Sequence, residues 1–191
     1  MSPSLLLEKL KMIPKTYLSF ADIAKLYSGK KDNLKVVLHR LVRQDKLNRL
    51  MKGYYAISGT NVDWEQFACE ILRPSYISLE YALYSYGIIE QVPATITLIT
   101  TKKTRELQLP FQVLEYSHIN PNLYFGYRIQ DNFLIAEKEK ALLDELYLIS
   151  LKKRHFPLKS LDLSKINKKL FNQKLKKYPL YTQKLFQTLV K

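Results

Sequence analysis

The chain has 191 residues, of which 47% are apolar, 25% charged and 12% aromatic. That is a globular composition on a length that holds one domain or two small ones. Five glycines argue against Gly-rich phosphate loops and turn-dense all-β folds, and the single cysteine, Cys69, excludes an intrachain disulfide and a cysteine-based zinc site. No apolar run approaches the roughly 18 residues that a membrane-spanning helix needs. The first dozen residues mix leucine with lysine and glutamate, unlike a secretory signal, so the expected location is cytoplasmic.

The net charge of +14 is unevenly spread. Residues 1–60 hold 12 basic and 4 acidic side chains, residues 61–150 hold 7 and 12, and residues 151–191 hold 12 and 1. A basic head, an acidic middle and a basic tail imply separate tasks. The basic ends suit a polyanion, although lysines also serve simply to solubilise helices.

In chain order, Leu5, Leu6, Leu10 and Ile13 fall near helical spacing, and Pro14 ends that helix. Ser19 caps a second helix over residues 20–27, with Asp22 in its first turn. Ser28–Gly29 is a turn, and a third helix covers about residues 31–44. Two short strands, 47–50 and 54–57, flank Met51, Lys52 and Gly53 as a hairpin. Three helices and a hairpin predict a winged helix-turn-helix over residues 1–60.

At about 100° per residue, Leu34, Val37, Leu38 and Leu41 form one apolar stripe on the third helix. The opposite side carries Val36, His39 and Arg43, flanked by Asn33, Lys35 and Arg40. Arginine can read guanine, asparagine adenine, and Val36 a thymine methyl in a major groove. Lys30, Lys31, Arg49 and Lys52 would hold phosphates, with Tyr54 beside the hairpin tip. These eleven residues are the candidate DNA-binding set. The competing reading is a winged helix that binds protein and never touches DNA.

Residues 61–191 read as a second domain, a mixed α/β region with a small sheet and then a helical tail. Asn61 or Asp63 caps a helix to Leu72, and Ser75 starts another that runs to Gly87. Strands are expected at 94–101, 111–119 and 133–135, with short pieces around 124–129. A strong helix spans 137–150, on which Glu137, Glu139 and Lys140 open the first turn and Lys140–Asp144 reads as a surface pair. Two tail helices, 164–177 and 181–190, form a helical hairpin around Pro179. The fold class is α+β.

Catalytic motifs are absent from the sequence. His39, His118 and His155 lie far apart, and none makes a metal-ligand pair. There is no phosphate loop, dinucleotide fingerprint or nucleophile elbow. No acidic residue is followed two positions later by lysine, which weakens a restriction-nuclease reading. Cys69 reads as a structural thiol. The expectation is a non-enzyme without cofactor or metal.

Several segments resemble one family in order. They are Tyr76-Ile-Ser-Leu-Glu80-Tyr-Ala82-Leu83-Tyr-Ser-Tyr-Gly87, Gln91-Val-Pro93, Thr100-Thr-Lys-Lys-Thr-Arg105, His118-Ile119, Leu123-Tyr-Phe-Gly126 and residues 135–144, with Lys52-Gly53-Tyr54-Tyr55-Ala56 in the hairpin. From about residue 5 to 150 the chain resembles the AbiEi-type antitoxins of abortive-infection systems, described as predicted transcriptional regulators of viral defence. Asp45 stands where the family commonly has glycine, and Glu137-Lys138 precede Glu139-Lys140-Ala141 where the family's helix start is worded differently. The resemblance implies a winged helix that binds double-stranded DNA at inverted repeats in its own promoter and represses transcription. It also implies a C-terminal region that counters a nucleotidyltransferase-type toxin without a stable complex. A regulator with no toxin partner is the alternative within that reading. The tail adds Lys165, Lys168, Lys169, Lys174, Lys176 and Lys177 as accessory contacts to DNA or RNA, crowded on one expected helix.

Overall fold

Ser2 and Ser19 set the first two helices in place before any tertiary contact is considered. The Ser2 hydroxyl accepts the Leu5 amide at the start of α1 (Pro3–Lys11). Ser19 and Asp22 form a reciprocal capping box at α2 (Phe20–Leu26), with amide-to-oxygen distances of 3.1 and 3.2 Å. The structure is a computed structural model that describes residues 1–189. It is of the α+β class, with eight α-helices and two sheets among the described residues.

The chain divides into two units, residues 1–67 with Leu109–Phe111, and Ala68–Gln108 with Gln112–Lys191. In the first, β1 (Leu18–Ser19) precedes α2, and α3 (Lys31–Arg43) leads into β2 (Leu47–Met51) and β3 (Tyr54–Ile57). The three strands pair in the order β1-β3-β2, all antiparallel. Strand β1 was not expected, being only two residues long. Asp45 takes φ 52°, the left-handed conformation the turn after α3 demands, and Gly53 takes φ 85° in the hairpin turn. The core joins Leu6, Leu10, Leu18, Ile23, Leu34, Val37, Leu38, Leu41 and Leu47. Leu5 lies outside it, 46% exposed, while Leu6 and Leu10 of α1 are buried and Leu7 packs partly against the core. The unit boundary falls inside α4 (Trp64–Ile71), whose Phe67 meets Tyr17, Tyr54 and Trp64 edge to face at 5.0–5.6 Å. The Asp63 carboxylate caps α4 at the Gln66 amide, 2.8 Å away.

The second unit holds a six-stranded sheet in the order β6-β7-β5-β4-β9-β8. Its strands are β4 (Ser75–Ile77), β5 (Thr95–Thr100), β6 (Arg105–Gln108), β7 (Val113–His118), β8 (Tyr127–Gln130) and β9 (Phe133–Ala136). Pairs β5·β7 and β4·β9 are parallel and the others antiparallel. Residues 75–77, expected to open a helix, form a strand instead. They are buried between β5 and β9, so ladder bonds on both sides override the local serine cap signal. Helix α5 (Leu79–Ser85) begins only after Ser78. Helices α6 (Lys138–Ser150), α7 (Lys168–Leu175) and α8 (Leu180–Leu189) complete the unit. The expected helix 164–177 is shorter at its start. Residues 163–165 make a 3-10 turn, and α7 begins where the Asn167 side chain accepts the Lys169 and Leu170 amides. The expected end of the last helix at Val190 lies outside the described residues.

Helix α6 is buried on every side from Glu139 to Leu148, and this overturns the surface reading of Lys140–Asp144. Both side chains are fully buried and ion-paired. Asp144 also accepts the Tyr76 hydroxyl at 3.0 Å, the Ser78 hydroxyl at 2.8 Å and the Tyr178 hydroxyl at 3.2 Å. Lys140 donates to Tyr178 at 2.8 Å and lies over the rings of Tyr76, Phe125 and Tyr178 at 5.0–5.6 Å. Gly126, at φ 72°, leaves room for the lysine stem, since a Cβ there would meet its Cγ at 3.3 Å. Burial pushes the Lys140 ammonium below the usual lysine range, with Asp144 opposing it, and burial with Asp144 raises Tyr76 and Tyr178. Nor do Glu137 and Glu139 merely start the helix: Glu137 is its N-cap and pairs with Lys174, and Glu139 accepts the Asn167 amide at 3.0 Å. Lys140→Met leaves a buried carboxylate without its cation and should cost about 3–5 kcal/mol in urea unfolding. Tyr178→Phe, which removes one hydroxyl, should cost about 1–2 kcal/mol.

Candidate nucleic-acid interface

Helix α3 sorts its residues by face. Leu34, Val37, Leu38 and Leu41 are buried, a stripe about 100° wide. Lys31, Asn33, Lys35, Val36, His39, Arg40 and Arg43 are all exposed, as is Lys30 at the N-cap. Val36 is 52% exposed, with His39 and Arg43 on the same outward arc. The only carboxylate on α3 is Asp32, which pairs with Lys35 at 3.1 Å in full solvent. Lys35 is therefore the one cation of the candidate set that already holds an acidic partner on the helix. On the hairpin, Arg49 and Lys52 are exposed. Tyr54 is different: it is half-buried, with its ring against Phe67 and Tyr17, so it packs the hairpin more than it extends it.

The tail lysines divide into two groups. Lys165 sits on the 3-10 turn, not on the helix, where it donates to the Gly87 carbonyl and faces Asp162 at 3.6 Å. Lys174 pairs with Glu137, and Lys177 lies 4.4 Å from the centre of the Phe125 ring. Lys168, Lys169 and Lys176 are exposed.

A second charged constellation escaped the sequence reading. Arg154, largely buried, makes a bidentate pair with Glu80 (3.1 and 2.5 Å), reaches Glu115 at 2.5 Å and lies 3.4 Å from Glu145. Glu80, Glu115, Arg154 and His155 line a cleft of about 280 Å³ together with Gln91, Thr95 and Phe156. Burial acts against the guanidinium's charge, but Glu80 and Glu145 outweigh it and raise the Arg154 pKa. Burial and then Glu80 push the fully buried Glu145 carboxyl up to about 8. These four residues are up to 74 positions apart in sequence, so no spacing motif announces them. The only local signal was the run of apolar residues around Glu145, which marks a helix buried on all sides.

No group of three or more His, Cys, Asp or Glu among the described residues is placed to hold a metal ion. Cys69 is half-buried, its thiol 3.5 Å from the Leu134 carbonyl. No helix among the described residues is long and apolar enough to cross a membrane.

The chain matches no family model. No curated protein matches it either. Among solved structures it is similar to the Rv2827c protein from Mycobacterium tuberculosis, with a TM-score of 0.66 at 14% identity. The similarity covers 97% of this chain and 75% of that one. At that identity the likeness concerns the fold.

Glu145 gives the second unit a pH signature. Because its folded pKa lies above the ordinary glutamate value, the folded state holds a proton that the unfolded chain has lost. That stabilisation is complete at low pH and is lost as pH rises toward about 8. The melting temperature should fall between about pH 5 and pH 9. Glu145→Gln should flatten that fall when both proteins are followed by calorimetry.

Proposed function

We propose that this chain is a DNA-binding transcriptional autorepressor acting as the antitoxin of an abortive-infection, phage-defence system. The observation that carries the reading is the outward arc of α3, where Asn33, Val36, His39, Arg40 and Arg43 stand exposed above a fully buried apolar stripe. In this reading residues 1–60 act as a winged helix-turn-helix. Helix α3 enters the major groove, and the β2–β3 hairpin is the wing. Arg43 and Arg40 suit guanine edges, Asn33 an adenine, and Val36 a thymine methyl. Lys30, Lys31, Arg49 and Lys52 suit flanking phosphates. Lys30 and Lys31 stand at the start of α3, where the helix dipole disfavours cations, and the Lys30 N-cap makes no side-chain cap bond. A phosphate beside them would offset that local cost.

The antitoxin half of the proposal rests on the resemblance of residues 76–87, 91–93, 100–105 and 135–144 to the AbiEi-type family. It assigns the second unit, with α7 and α8 read as a helical hairpin, a non-catalytic role in the cytoplasm. Its functional partner is a nucleotidyltransferase-type toxin, opposed without a stable complex.

Fluorescence anisotropy on duplexes tests the DNA-binding half. Wild type should bind a duplex from the region upstream of its own gene about 10³-fold more tightly than a scrambled duplex of equal length. Arg43→Gln should lose about 1–3 kcal/mol of that discrimination. Lys52→Gln should weaken both duplexes alike and lower the salt slope by about one. Equal, weak binding to both duplexes by wild type would instead assign the winged helix to protein interaction.

A further inference from the structure

Helix α7 is held on α6 at three points that fix which of its sides faces outward. At its start, the Asn167 amide donates to Glu139 at 3.0 Å. In its last turn, Lys174 pairs with Glu137. Just beyond it, the Tyr178 hydroxyl joins Lys140 and Asp144. Phe171 and Leu175 are buried on that same side. The three anchors leave the other side of the helix to solvent.

Apart from Leu170 at its edge, 43% exposed, that outward side is polar. Lys168, Lys169, Asn172, Gln173 and Lys176 are all exposed and span about 140° of arc at 100° per residue. Every one of them can donate hydrogen bonds, three are cations, and no aspartate or glutamate occurs anywhere after Asp162. Two of the cations stand in the first turn of α7, which contains no acidic residue to offset the helix dipole. Local helix rules place carboxylates there, so this arrangement is a departure of the kind that marks function.

We infer that the outward arc of α7 is a second nucleic-acid surface that holds the phosphodiester backbone of double-stranded DNA without reading its sequence. This rests on the DNA-binding reading above and adds a contact with a different job. Lys168, Lys169 and Lys176 neutralise phosphates, and Asn172 and Gln173 donate to phosphate oxygens. Lys165, Lys174 and Lys177, engaged with Gly87, Glu137 and Phe125, have no part in it. The arc presents no aromatic ring on which an unpaired base would stack, which favours duplex backbone over single strands.

The test is the salt dependence of full-chain binding to a scrambled duplex, followed by anisotropy between about 50 and 200 mM salt. The variant K168Q/K169Q/K176Q should lower the slope of log affinity against log salt by about 2–3, at roughly 0.9 per phosphate contact. It should weaken the upstream duplex and the scrambled one by the same factor. K102Q/K103Q/K153Q, which removes the same charge from exposed lysines elsewhere in the unit, should leave the slope unchanged. An unchanged slope for the α7 variant overturns the inference while the α3 reading stands. Equal loss in both triple variants also overturns it, since net charge alone then explains the effect. Loss of binding to an RNA hairpin with duplex DNA unaffected overturns it in favour of RNA. Failure of wild type to bind any duplex removes both readings at once.

Discussion

The apolar stripe of α3 is the constraint on which the functional reading depends. Four residues, Leu34, Val37, Leu38 and Leu41, enter the core with Leu6, Leu10 and Ile23. An α-helix has one phase, so burying that stripe fixes the direction of every other side chain on it. His39 and Arg43 face solvent because the leucines cannot. The cost of the arrangement is concentrated at the helix start, where Lys30 and Lys31 crowd the positive end of the dipole with only Asp32 beside them. A protein selected for stability alone would place carboxylates at those positions.

In the second unit the organising element is α6, a helix that carries charge into a fully buried site. Lys140 and Asp144 are surrounded by each other, by three hydroxyls and by three aromatic rings. A buried pair adds little net stability over well-packed apolar residues, but removing one partner is expensive. What the pair does secure is arrangement. Through Tyr178 it ties the junction between α7 and α8 to α6, and through Tyr76 and Ser78 it ties α6 to β4 and to the start of α5. The orientation of α7, and so of its exposed lysines, follows from these bonds.

Elements that depend on near neighbours were readable from the sequence. The cap at Ser19 with Asp22 in the first turn, the phase of α3 and the strand at residues 95–100 all rest on signals within a few residues. Elements that depend on distant partners were not. Residues 75–77 look like a helix start until β5 and β9 supply ladders on both sides. Strand β6 has a polar edge sequence, Arg105-Glu-Leu-Gln108, with no alternating pattern of its own. Lys140 and Asp144 have the spacing of a surface pair, and only Tyr76 and Tyr178, 68 and 38 positions away from their partners, show that they are buried. The tail lysines read as one group for the same reason: Gly87, Glu137 and Phe125, which engage three of them, lie far upstream. In the candidate DNA-binding set, exposure follows from helix phase. The half-burial of Tyr54 depends on Phe67, in α4.

The central claim is that the outward arc of α3 is what meets DNA. Its most direct test is a titration of isotope-labelled protein with a duplex from its own upstream region, followed by amide chemical shifts. The account predicts that the largest shifts fall on Asn33, Val36, His39, Arg40 and Arg43, with Leu34, Leu38 and Leu41 changing little. Saturable binding that leaves the α3 amides unmoved would contradict it.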